Sequence, residues 1–154
     1  MKNPQRQLVI SQTGRKINEF RPLMSLHPPG RGWVHAVRTA LGMSYRQFAQ
    51  RLGMTPQSAK GLEEREADGS ISLKSLRSAA NALNMRVVYA LVPEQEDLEA
   101  MIDRQARAKA RQILLRTSHT MRLEDQGLSS KALERSEQEL AAEIRRTMPR
   151  FLWD

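Results

Sequence analysis

Apolar and polar positions alternate along most of this chain with the period of a helix. Trp33, Val37 and Leu41 recur at i, i+4 and i+8, which predicts a helix over Trp33–Leu41 with one face on a core. Phe48, Ala49 and Leu52 form the apolar face of a second helix. Ser44 stands ahead of it with Gln47 three residues on, a capping box, and Gly53 closes it at a position that favours left-handed backbone. Thr55 caps a third helix, and Pro56 occupies its first position, where a missing N–H costs nothing. Ala59 and Leu62 line one side of that helix, and Gln57, Ser58 and Lys60 the other. A packing helix follows through Asn84.

Beyond Asn84 the period changes. Met85–Val92 (MRVVYALV) is β-branched and apolar and ends at Pro93, the pattern of one short β-strand. A single strand leaves its backbone groups unpaired, so it calls for a second strand, for instance from another subunit. Glu94–Arg122 returns to helical spacing, with Leu98, Ile102, Ala106, Ala110, Ile113, Leu114, Thr117 and Met121 on one stripe. Gly127 interrupts it, and Leu128–Met148 forms a second helix carrying Leu133, Leu140, Ile144 and Met148. Ahead of all this, Leu8, Val9, Ile17, Phe20 and Leu23 suggest a helix interrupted near Gly14, followed by the breaker HPPGRG. The expected fold is mostly α, with a helix-turn-helix domain, one short β-strand and a C-terminal helical hairpin. Three regions follow: a basic segment over 1–32, the helix-turn-helix with its strand over 33–93, and a helical region for partner binding or dimerisation over 94–154.

Two short helices joined by a tight glycine turn are the layout that places a second helix in the DNA major groove. The charge distribution agrees. Residues 1–90 carry 14 Lys/Arg against 5 Asp/Glu, whereas residues 91–154 carry 11 against 12. The excess positive charge therefore accompanies the helix-turn-helix and suits a polyanion.

Ser44–Asn84 resembles the helix-turn-helix of the Cro and phage-repressor (XRE-like) family, through MSYRQFAQRLGMTPQSAKGLE and SLKSLRSAANALNM. That resemblance implies base contacts from Pro56, Gln57, Lys60 and Gly61 at the start of the recognition helix. Pro56 has no side-chain donor and Gly61 no side chain, so base reading would rest on Gln57 and Lys60. Glutamine can bond adenine in bidentate fashion, and lysine can donate to guanine. Ser44, Tyr45, Arg46, Gln47 and Ser58 would contact phosphates, with Thr55 as the cap. Gly61 inside a helix is unfavourable by about 1 kcal/mol relative to alanine. A close approach to DNA or to another helix would account for it.

A wider resemblance covers most of the chain. GWVHAVRTALGMSYRQFAQRLG, ADGSISLKSLRSAANALNMRVVYALVP and HTMRLEDQ are similar to the group called mobile mystery protein A. This implies a small regulator encoded beside a Fic-domain protein, and hence an antitoxin that represses its own operon and restrains an AMP-transferring partner. Inhibitors of Fic proteins carry Ser/Thr-x-x-x-Glu-Gly/Asn on a helix. Thr120 and Glu124 fit that spacing, with Asp125 where glycine or asparagine is usual. Glu124 would take the place of the ATP γ-phosphate, and Thr120 would position its helix. The alternative is a stand-alone XRE-type regulator whose C-terminal helices only dimerise.

The remaining chemistry is sparse. There is no Cys and there are only 3 His, so neither a disulfide framework nor a zinc site is expected. No glycine-rich phosphate loop and no nucleophile beside a base marks an enzyme, and no cofactor is implied. No apolar run reaches membrane-spanning length. The expected setting is the cytoplasm, with double-stranded operator DNA, a Fic-domain protein and a second copy of the chain as partners.

Overall fold

The computed structural model describes residues 3–123 and 129–154, with side chains from residue 4 to 117 and from 129 onward. It divides into two compact units, residues 23–90 and residues 1–22 with 91–154.

In the first unit, α2 (Trp33–Ala40), α3 (Tyr45–Leu52), α4 (Pro56–Ala67) and α5 (Leu73–Ala82) enclose a core of Val34, Phe48, Ala49, Ala59, Leu62, Ala79 and Leu83. The caps follow the sequence closely. Ser44 Oγ accepts from the Gln47 amide while Gln47 Oε1 accepts from the Ser44 amide at 2.8 Å, so two end donors are satisfied reciprocally. Gly53 ends α3 with φ 66°. Thr55 and Ser72 cap α4 and α5 through the amides of Ser58 and Ser75. Phe48 is fully buried, and its loss would cost about 3–5 kcal/mol.

The start of α2 is held in another way. Gly32 cannot cap with a side chain; instead the Glu66 carboxylate of α4 accepts from the amides of Trp33 (2.8 Å) and Val34 (2.9 Å). Gly32 has φ 86°, which favours glycine, and a Cβ there would stand 2.7 Å from that carboxylate and push it off its cap. This capping also sets the rotation of α2. Val34, Val37 and Arg38 face inward, whereas Trp33 and Leu41 are more than half exposed. The anchoring role expected of Trp33 falls to its neighbour.

The expected strand at Met85–Val92 is absent, and no strand occurs among the described residues. The reason is the one that made a lone strand uncomfortable: every other described segment is helix, turn or linker, so no ladder partner exists. The Met85 amide closes α5 on the Ala80 carbonyl at 2.8 Å. Met85, Arg86, Val87 and Val88 then line an open apolar groove of about 460 Å3 with Trp33, Val37 and Leu76.

In the second unit, α6 (Leu98–Leu123) packs along α7 (Ser130–Thr147) over Ile102, Ala106, Ala110, Ala141 and Ile144. The tail turns back as a short 3-10 helix, Arg150–Trp153, and buries Leu152 completely. Gln105 Nε2 donates to the Leu152 carbonyl at 2.7 Å. Helix α1 (Asn3–Phe20) belongs to this unit; it is unbroken at Gly14, packs on α6 through Ile10, and leaves Leu8 and Val9 exposed. Arg6 donates to the Met148 carbonyl at 3.1 Å. Helix α6 begins four residues later than its acidic run suggested. The Asp97 side chain accepts from the Ala100 amide at 2.8 Å and acts as the cap, leaving Glu94 and Glu96 ahead of the helix.

Candidate nucleic-acid interface

Helix α4 has two faces with separate duties. Its inner face carries Ala59, Leu62 and Glu63, all buried. Pro56, Gln57, Ser58, Lys60 and Glu64 are exposed, with Gly61 half-buried among them. The first turn of α4, capped at Thr55, is exposed, and so is the start of α3 at Ser44, Arg46 and Gln47. Eight of the ten residues expected at a DNA interface, Thr55 included, are therefore exposed, and Tyr45 and Gly61 are half-buried.

The Tyr45 hydroxyl donates to Glu63 Oε2 at 2.8 Å, and its ring lies under the Arg38 guanidinium, 4.0 Å from the centroid. Tyr45 is half-buried and belongs to a polar cluster around the buried pair Arg38 and Glu63. Glu63 Oε1 accepts from Arg38 Nε at 2.5 Å, and Glu63 Oε2 lies 2.9 Å from His35 Nδ1. Arg38 Nη1 also donates to the Met43 carbonyl at 2.7 Å, tying down the turn between α2 and α3. Glu63 thus fastens α4 to α2 and α3. A buried charge is tolerable only when its partners satisfy it, and here each carboxylate oxygen is engaged.

The electrostatics follow from that geometry. Burial pushes the Glu63 carboxyl up, but the hydrogen bonds from Arg38, His35 and Tyr45 outweigh it and hold the group below its ordinary value of 4.5. Burial and the bond to Glu63 raise the Tyr45 hydroxyl. The bond to Glu63 raises Arg38 further.

Charge divides between the units less sharply than between the halves of the sequence. Residues 23–90 carry 9 Lys/Arg and 4 Asp/Glu, a net of +5; the other unit nets +3, because α1 brings its basic residues there. All four acidic residues of the first unit lie on α4 or at its C-cap. Glu63 and Glu66 hold the fold together, and Asp68 accepts from the amide and hydroxyl of Ser70. Glu64 stays exposed on α4 and pairs with Lys60, with Nζ 3.7 Å from Oε1.

A Cβ on Gly61 would meet only Arg65 Nη1, at 3.4 Å. No neighbouring helix crowds it, so the fold itself does not require glycine there. Thr120 lies in the last turn of α6, while Glu124 and Asp125 lie outside the described residues. No group of acidic and histidine side chains able to hold a metal occurs among the described residues, and no described helix is long and apolar enough to cross a membrane.

Residues 34–89 match the family model described as helix-turn-helix. The match supports a DNA-binding regulator of the XRE type. It covers the unit just described and stops short of α6 and α7. No curated protein and no solved structure matches the chain.

Glu63→Gln should destabilise the protein by about 3 kcal/mol at neutral pH, because Arg38 is left buried without a full counter-charge. The folded carboxyl titrates below its unfolded value, so its stabilisation is present above about pH 4.5 and is lost as pH falls through the lower folded value. Urea unfolding followed between pH 3 and 7 should show the wild-type protein losing more stability over that descent than Glu63→Gln.

Proposed function

We propose that this chain is a transcriptional repressor that grips double-stranded operator DNA with α4. The observation that carries the reading is the exposed Gln57–Ser58–Lys60–Gly61 surface on a helix whose opposite face is bolted down by Glu63. A rigid backing matters because a side chain reads a base edge only if its helix holds its angle in the groove. Gln57 and Lys60 read bases, and Ser44, Arg46, Gln47 and Ser58 set register on phosphates. The net charge of this unit favours the phosphate backbone, so affinity falls steeply with salt. Tyr45 supports this surface from beneath, through its bond to Glu63. A homodimer fits the two-fold symmetry of operators, and the open apolar groove beside Val88 offers it unburied surface.

We further propose that the chain represses its own operon as an antitoxin and that the helical unit holds a Fic-domain, AMP-transferring partner. Two things support this: the resemblance over HTMRLEDQ, and the core of its own that α1, α6 and α7 enclose. Under this reading Glu124 obstructs the partner's nucleotide site. The stand-alone regulator remains the competing reading, with the helical unit serving only self-association.

Gln57→Ala and Lys60→Ala should each reduce preference for the chain's own upstream duplex over a scrambled duplex by about 1–3 kcal/mol. Arg46→Ala should weaken both duplexes alike. Fluorescence anisotropy titrations distinguish the two outcomes, and unchanged preference in the first two variants would displace the base-reading surface from α4. For the partner, AMP transfer by the neighbouring Fic-domain protein should be released by Glu124→Gly with DNA binding intact. Equal inhibition by wild type and variant would contradict obstruction by Glu124.

A further inference from the structure

Glu64 is the carboxylate of the DNA-binding unit that the fold does not use. Glu63 is buried against Arg38, Glu66 caps α2, and Asp68 caps its own turn. Glu64 instead projects from the exposed face of α4, with its side chain 63% exposed. Its one ion-pair partner among the described residues is Lys60, one turn back, with Nζ 3.7 Å from Oε1. Gly61 adjoins both on the helix and carries no side chain; the nearest atom to where its Cβ would stand is Arg65 Nη1, at 3.4 Å. An acidic residue on the face turned toward phosphates raises the free energy of every DNA complex unless a base donor meets it.

We propose that Lys60 and Glu64 act as one unit that selects a G·C base pair, with Gly61 as the notch that lets the pair reach the groove floor. The inference rests on α4 being the recognition helix. In the major groove a G·C pair presents two acceptors, guanine N7 and O6, on one side and the cytosine N4 donor on the other. An ammonium beside a carboxylate is the matching donor and acceptor set. An A·T pair fits worse, since its donor lies between two acceptors and the thymine methyl covers the far edge. Away from such a pair the carboxylate faces acceptors and phosphates only, so Glu64 penalises the wrong sequence as well as rewarding the right one. Gly61 then has a use that the fold does not give it.

The test is selection of bound duplexes from a randomised library with the full chain, comparing wild type, Glu64→Ala and Gly61→Ala. Wild type should fix a G·C pair at one position by about tenfold over A·T. Glu64→Ala should relax that position alone and bind random duplexes more tightly. Gly61→Ala should lose affinity for the selected site by about tenfold while unfolding at no lower temperature than wild type, since alanine favours the helix. An unchanged profile in Glu64→Ala, or an A·T pair at the position that Glu64→Ala relaxes, overturns the proposal. Wild type that selects no sequence from the library overturns instead the assignment of α4 as the reading helix.

Discussion

The Arg38–Glu63 ion pair is the interaction on which the DNA-binding unit depends. Its two charges leave water together, and the loss of hydration is repaid only because the geometry is closed. Glu63 receives Arg38, His35 and Tyr45, and Arg38 reaches the Met43 carbonyl as well. The pair joins α2, the turn after it, the start of α3 and the middle of α4. Apolar packing of Phe48, Ala59 and Leu62 provides most of the stabilisation, but it specifies no angle this sharply. Polar contacts with fixed directions do. Under the proposed function, Glu63 orients a reading face that it never touches.

The acidic residues of α4 show how one short helix can carry contradictory requirements. The proposed role of α4 as a helix facing phosphates gains nothing from negative charge, yet α4 holds Glu63, Glu64 and Glu66. Two of them face inward and serve the fold. Helical spacing permits this: Glu63 and Glu66 lie three residues apart on one face, and Lys60 and Glu64 four apart on another. The composition of the segment gives no hint of this division, and its periodicity gives only part of one.

Much of the helix-turn-helix was legible because its signals are local. Ser44 with Gln47, Gly53, and Thr55 with Pro56 each fix a helix end through atoms a few residues apart, and each boundary lay where those residues put it. The rotation of α2 was not legible, since Trp33 and Val34 both suit a core stripe and the choice rests on Glu66, thirty-two residues beyond Val34. The inward role of Tyr45 was hidden for the same reason: its partner Glu63 is eighteen residues away. The strand at Met85–Val92 failed because β-propensity describes a half-buried surface and does not supply the neighbour that makes one. The start of α6 was misplaced because Asp97 could serve equally as a first-turn acid or as a cap, and only the backbone decides.

The most direct test of the central claim is a map of amide chemical shifts as the full chain is titrated with the duplex upstream of its own reading frame. The account predicts that Gln57, Ser58, Lys60, Gly61 and Glu64 on α4, with Ser44–Gln47 at the start of α3, shift together, while α6 and α7 stay in place. Shifts concentrated on α6 and α7, with α4 unmoved, would contradict it.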